Sequence, residues 1–446
     1  MNNVLSRKLN RTLLNQLTTR PLLLLLSISV LLRVITAFVM GDAVIELPGV
    51  FDQLSYHNLA LRVVNGYGFS FGELWWPVTP ADAPTAHWSY LYTLFVAGVY
   101  CIFGPHPLIA RLLQAVIVGI LHPYIVYRLS EKLFGQNIAW VAAIVTSFYF
   151  YFIYYDAALM TEPFYITAIL FTLYIAIQLA DSENDNKDAR LGFLLGMTTA
   201  VTLLLRQVFL LFVPFLLLWI WSRRLKKHKP LPVFSTILTI VTVILFILPV
   251  TIYNQNRFGS FVLLNTNSGY AFFWGNHPIY GTHFEPILST GTYQALIPQE
   301  LLKLNEADLD RELLKRGIGY VVDDPKRYIL LSISRIPPYF MFWSSAKSSL
   351  ISNIARLGSF GIMFPFMIYG LWLKFKEFST NNLNSFLNMF TSREGLLLLF
   401  VCIYSIVHIL TWTLIRYRLP VDAVLLPFAS LALVTISQKF LPRYPN

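Results

Sequence analysis

The chain has 446 residues, 56% hydrophobic and 13% charged, with a mean hydropathy of +0.58, which excludes a body wetted on all sides. Its net charge of +11 sits in short basic clusters beside apolar runs, the positive-inside pattern of a membrane protein, and so does not point to nucleic acid. Its two cysteines, Cys101 and Cys402, lie in apolar stretches and support neither a disulfide framework nor a cysteine metal site.

In chain order, residues 1–20 carry Arg7, Lys8, Arg11 and Arg20 and read as a cytoplasmic tail. The apolar run from Pro21 to Met40 is long enough to cross a hydrocarbon core of roughly 30 Å, and no small-residue cleavage site follows it. It reads as a retained signal anchor. Further spans are predicted over Leu108–Arg128, Ile138–Tyr154, Pro163–Ala180, Leu191–Leu205, Val208–Trp221 and Leu231–Ile252, then over Ile354–Leu373, Gly395–Leu414 and Leu419–Ile436. Two more apolar segments, Trp88–Phe103 and Tyr328–Trp343, are open between spanning and lying at the interface, so the expectation is an all-α polytopic protein with about 10 to 12 spanning helices.

Charge parity favours the interface for both. If Trp88–Phe103 spanned, the cluster Arg223, Arg224, Lys226, Lys227 and Lys229 would face out, and Tyr328–Trp343 contains Arg335, Pro337 and Pro338. With both set aside, the N-terminal tail, Arg128/Lys132, the Arg223 cluster, Lys374/Lys376 and Lys439/Arg443 all fall on the cytoplasmic side. Residues 21–253 then form one transmembrane module with a first outer loop at 42–107, residues 254–353 a second outer loop, and residues 354–446 the C-terminal spans. In the second loop, Glu306 to Tyr320 is a charged helical stretch with Leu309, Leu313 and Leu314 at helical spacing.

This topology puts Asp42, Glu46, Asp52, Glu73, Asp82, Asp156, Glu162, Arg206, Glu285, Arg416, Arg418 and Asp422 at the outer face, several of them at the ends of apolar helices. Ionisable groups at that depth are costly unless they face a wet cavity, which makes them functional candidates. Asp52 reads either as a helix N-cap or as a catalytic base, and Glu162 either as a charge favourable to a helix N-terminus or as a partner of Asp156 in catalysis. Arg206, Arg416 and Arg418 are candidates to bind a donor phosphate, with headgroup snorkelling the competing account of the last two. The aromatic residues Trp75, Trp76, Trp88, Tyr90 and Tyr92 fit an interfacial belt as well as a sugar-stacking surface.

Several short runs keep a telling order: Asp52 after the first helix, Asn65-Gly66-Tyr67-Gly68-Phe69-Ser70, Ala110-Arg111-Leu112-Leu113-Gln114, Leu133-Phe134-Gly135 and Met160-Thr161-Glu162-Pro163. They continue at Asn256-Arg257-Phe258-Gly259, Asn267-Ser268-Gly269-Tyr270, Gly275-Asn276-His277-Pro278 and Arg416-Tyr417-Arg418-Leu419-Pro420. Over about residues 20 to 437 this resembles bacterial members of the glycosyltransferase family 39 group, relatives of protein O-mannosyltransferases and of the lipid A aminoarabinose transferases, with the GT-C fold. The resemblance implies a bacterial plasma-membrane enzyme whose outward cavity moves a sugar, with inversion, from a polyprenyl-phosphate donor to a glycan, protein or lipid acceptor. Asp52 would be the base, with Asp156 and Glu162 assisting.

Asp156 and Glu162 stand six residues apart, where many GT-C enzymes have a tighter acidic motif. A divalent cation, Mg or Mn, held through Glu162 is therefore left open, and no spacing ties His57, His87, His277 and His283 into a zinc site. Tyr56, His57, His87, Asn276 and His277 are candidate substrate contacts. The rival functions are a flippase or transporter of lipid-linked sugars and a glycan ligase, although no internal repeat supports transport.

Overall fold

The computed structural model describes residues 2–45, 51–346, 348–379 and 385–440. Glu46 and Arg443, counted above, lie outside them. Lipid offers the backbone no hydrogen bonds, so the apolar runs must satisfy their own peptide groups, and they do so as helices. Among the described residues there is no strand, only the isolated bridges Ser70 to Pro84 and Trp75 to Thr79.

The chain is a polytopic membrane protein. Among the described residues eight helices are long and apolar enough to span: Arg20–Met40, Pro107–Phe134, Glu162–Asp181, Lys187–Leu205, Val233–Phe258, Leu350–Phe378, Arg393–Leu410 and Ile415–Phe440. A pair bent by 53°, Gln136–Phe148 and Phe150–Ala157, makes nine. The other segments considered above are shorter. Val208–Trp221 divides into a 3-10 turn, Gln207–Leu211, and a 14-residue helix, Val213–Lys226, with Pro214 at its start. Trp88–Phe103 forms the 14-residue helix Tyr90–Phe103, and Tyr328–Trp343 forms only Pro325–Ser334 and Ile336–Tyr339.

One end of the bundle gathers the basic clusters. Asp181 takes Arg223 at 2.8 Å, Lys227 and Arg393 at 2.7 Å and Lys132 at 4.0 Å, while Arg224 meets the buried Asp188 at 2.5 Å. Asp188 lies in the first turn of the helix Asp185–Leu205, so Arg206 stands at the opposite end.

That opposite end carries the two long loops, and carboxylates of the helix Glu306–Asp323 tie them together. Glu306 accepts from Ala86 N at 2.8 Å, from Thr79 Oγ1 at 3.0 Å and from Thr266 Oγ1. Asp310 accepts from Gly269 N at 2.7 Å and Tyr270 N at 3.1 Å, closing the first turn of the helix Ser268–Asn276. Gly269 is required by this approach: a Cβ there would stand 1.8 Å from the Asp310 carbonyl oxygen. Leu309 and Leu313 pack with Tyr270, Phe273, Trp274 and Tyr293 in a small core of their own, apart from the main core of the helical bundle.

Candidate functional site

A cavity of about 560 Å³ lies between the helix ends and the two loops. Its charged side chains are Asp52, Arg206 and Arg416, and its aromatic lining includes Tyr56, Trp76, Trp88, Tyr270, Trp274, Trp412 and Tyr417. Each charged residue is placed by a change in the chain's path. Asp52 is the first residue of the helix Asp52–Val64, where the helix dipole favours a negative charge. Arg206 is extended backbone between the helix ending at Leu205 and the turn Gln207–Leu211, and Arg416 sits in the turn Ile415–Arg418 that opens the last span.

The site is braced from behind. Gln53 accepts from Arg111 Nη2 at 3.2 Å and from Leu159 N at 3.1 Å, so the start of the Asp52 helix is tied to the span Pro107–Phe134 and to the link that precedes the span Glu162–Asp181. Arg111 also donates to the carbonyls of Gly41 and Ala43, while Gln114 donates to the carbonyls of Asp156 and Ala158 at 2.9 and 2.7 Å. On the other wall, Gln207 reaches Asn265 O and Asn267 Oδ1, both at 3.2 Å, and Asn265 Nδ2 holds the carbonyls of Ala86 and Trp88 at 3.0 Å.

The charges form one connected group. Arg416 Nη1 lies 2.9 Å from Asp52 Oδ1 and 3.4 Å from Glu162 Oε1, and Arg206 Nη2 lies 2.6 Å from the same Glu162 oxygen. Arg206 Nε donates to Thr161 Oγ1 at 2.9 Å, and Tyr417 lies under both guanidinium groups at 5.5 and 5.3 Å. Glu162 is 1% exposed and does not line the cavity, whereas Asp52 and Arg416 do. Burial raises the proton affinity of Asp52, but Arg416, with Arg206 beyond it, outweighs burial and holds the carboxyl below its ordinary range.

The other candidates separate clearly. Asp156 faces Arg33 at 2.6 Å inside the bundle, and Arg418 faces Asp422 at 2.8 Å while lying 3.4 Å over the ring of Phe360; none of these four lines the cavity. Tyr56 and His87 line it, and burial lowers the pKa of the His87 imidazole. His57 instead meets Tyr100 Oη at 2.8 Å, Asn276 accepts from Arg335 at 2.9 Å, and His277 packs on Phe273 and Tyr320. Those three are held away from the cavity by their own partners.

A divalent cation fits this arrangement poorly. The carboxylates of Asp52 and Glu162 are bridged by one guanidinium nitrogen, and Arg206 takes the same Glu162 oxygen. Among the described residues no three His, Cys, Asp or Glu side chains are grouped to hold a metal.

Comparison with known proteins agrees with this architecture. Residues 87–253 match the family described as dolichyl-phosphate-mannose-protein mannosyltransferase. No curated protein matches the sequence. Among solved structures, the archaeal oligosaccharyltransferase AglB from Archaeoglobus fulgidus, in complex with an inhibitory peptide and a dolichol-phosphate, superposes with a TM-score of 0.56 at 14% identity, over 95% of this chain and 52% of that one. The Archaeoglobus fulgidus oligosaccharyltransferase with Zn and sulfate gives 0.55 at 14% identity, over 93% and 49%. The chain thus spans about half the length of these enzymes. ArnT from Cupriavidus metallidurans bound to undecaprenyl phosphate gives 0.43 at 13% identity, over 96% and 82%, too low to bear on the fold. From its helices, its two joined loops and the cavity between them, the chain has the GT-C fold, and its segment 87–253 carries the pattern of the mannosyltransferase family.

Proposed function

We propose that the protein is a membrane glycosyltransferase that moves a sugar, with inversion, from a polyprenyl phosphate to an acceptor hydroxyl at the non-cytoplasmic face. The observation that carries this reading is the placement of one carboxylate, Asp52, beside two guanidinium groups, Arg206 and Arg416, in a single cavity. The guanidinium groups suit the phosphate oxygens of the donor, since charge-assisted bonds to phosphate are strong and directional. Phosphate has a second pKa of about 6 and leaves without an acid. One base is then sufficient: Asp52 takes the proton of the acceptor hydroxyl as its oxygen attacks the anomeric carbon and the carbon–phosphate oxygen bond breaks.

The distribution of charge supports this sidedness. The basic clusters around Asp181 lie at the end opposite the cavity, so the positive-inside rule supports a cavity opening to the non-cytoplasmic side. The dolichol-phosphate in the archaeal enzyme of like fold supports a polyprenyl-phosphate donor. Incubating the purified protein with defined polyprenyl-phosphate sugars and following sugar loss from the carrier tests the proposal.

A further inference from the structure

Arg416 is shared by two carboxylates that differ in how firmly they are held. Glu162 is 1% exposed, takes both arginines and is out of reach of the cavity; Asp52, 6% exposed, lines the cavity and has no other side-chain ion-pair partner among the described residues. Two arginines and two carboxylates sum to zero charge. A donor phosphodiester brings one more negative charge, and of the two arginines that line the cavity Arg416 is the one paired there with Asp52, at 2.9 Å.

We infer that Asp52 is a competitor for the donor as well as the base: the incoming phosphate displaces Asp52 from Arg416, and the freed carboxylate then accepts the acceptor's proton. This rests on the glycosyltransferase reading above. Glu162 keeps Arg416 and Arg206 in place during the exchange, so only Asp52 changes partner. Before exchange, the Arg416 pair lowers the basicity of Asp52; after it, Asp52 is the unmatched charge in the site and its proton affinity rises. The base is armed by donor binding. The cycle balances: the acceptor O–H proton goes to Asp52, the anomeric carbon exchanges a phosphate oxygen for the acceptor oxygen, and polyprenyl phosphate is released with the bonding electron pair. Loss of the proton from Asp52 to water restores the anion, which retakes Arg416 and expels the spent carrier.

A double-mutant cycle read as binding tests this. Undecaprenyl phosphate is titrated into the purified full-length chain in detergent, comparing wild type, Asp52→Asn, Arg416→Gln and the double variant. Exchange predicts that Asp52→Asn binds about tenfold tighter than wild type, the value of one charge-assisted contact no longer contested. It also predicts that this gain disappears when residue 416 is Gln. Asp52→Ser serves the same purpose should the Asn variant fail to fold. Unchanged or weaker binding by a folded, neutral variant at 52 overturns the exchange, as does a gain that persists without Arg416, which would be a general field effect. If wild type does not bind undecaprenyl phosphate at all, the donor reading itself falls; if it binds and only the gain is missing, the exchange alone falls.

Discussion

Asp156 is paired with Arg33 inside the bundle, whereas Glu162 is paired with the two arginines that line the cavity. Asp156 and Arg33 are 2% and 0% exposed at 2.6 Å, and Arg33 has further bonds to Ser29 Oγ at 2.7 Å and to the carbonyls of Ser29 and Ser147. At an effective dielectric of about 20 the pair's gross attraction is about 6 kcal/mol, most of it offset by desolvation. Breaking one side should therefore cost about 3–5 kcal/mol, because it leaves a buried charge, whereas replacing both sides with apolar groups should be close to neutral. The expectation is that Asp156→Ala lowers the stability of the detergent-solubilised protein by that amount and that Arg33→Met with Asp156→Leu recovers most of it. Per folded molecule, turnover of the double variant should stay near that of wild type. A double variant that is stable yet inactive would place Asp156 in the chemistry and refute the structural assignment.

Replacing Arg206 with Ala, or Arg416 with Gln, should weaken polyprenyl-phosphate binding by about 1–3 kcal/mol in a detergent titration. Arg418→Ala should instead appear in thermal unfolding, since it strands Asp422. Single cysteines introduced at Glu73 and Asn305 into a chain lacking Cys101 and Cys402 should react with an impermeant thiol reagent in intact cells, and one at Lys226 should not. The reverse labelling would invert the topology. Burial raises the Asp310 carboxyl from 3.8 to about 7. A raised folded-state pKa gives stability that is full below about 4 and lost as the pH rises through about 7, so loop protection in hydrogen exchange should fall from pH 5 to 8 in wild type and much less in Asp310→Asn.

How much of this could be read from sequence differs by residue, for physical reasons. The long spans were legible because lipid forces about 20 consecutive apolar residues. Charge parity put Lys132 and the Arg223 cluster on one side, and the structure has them at one end of the bundle, though the carboxylate that collects them, Asp181, carried no pattern of its own. In the site, Asp52, Arg206 and Arg416 stood out as charges at helix ends, yet that Glu162 lies behind both arginines depends on three distant elements. Two partners were within reach. Arg33 inside an apolar run demanded an acid, and Arg418 and Asp422 stand four apart on a helix, the spacing of a side-chain pair. Glu306 and Asp310 were missed because their partners are threonine hydroxyls and backbone N–H groups of distant segments, which no spacing encodes. The motif Gly275-Asn276-His277-Pro278 is a joint, since a Cβ on Gly275 would stand 2.3 Å from Thr411 O and Asn276 is spent on Arg335.

Transfer of a sugar from a lipid phosphate in this cavity, with Asp52 as base, is tested most directly by a single transfer assay. Purified wild type and Asp52→Asn are given radiolabelled polyprenyl-phosphate sugars together with membrane extract as the source of acceptor, and label leaving the carrier is counted. Wild type should release label from at least one donor, and Asp52→Asn should be slower by about a hundredfold to ten-thousandfold while still binding the carrier, as expected for loss of a general base. Retention of more than about a tenth of wild-type turnover by Asp52→Asn, well above that loss, would contradict the account.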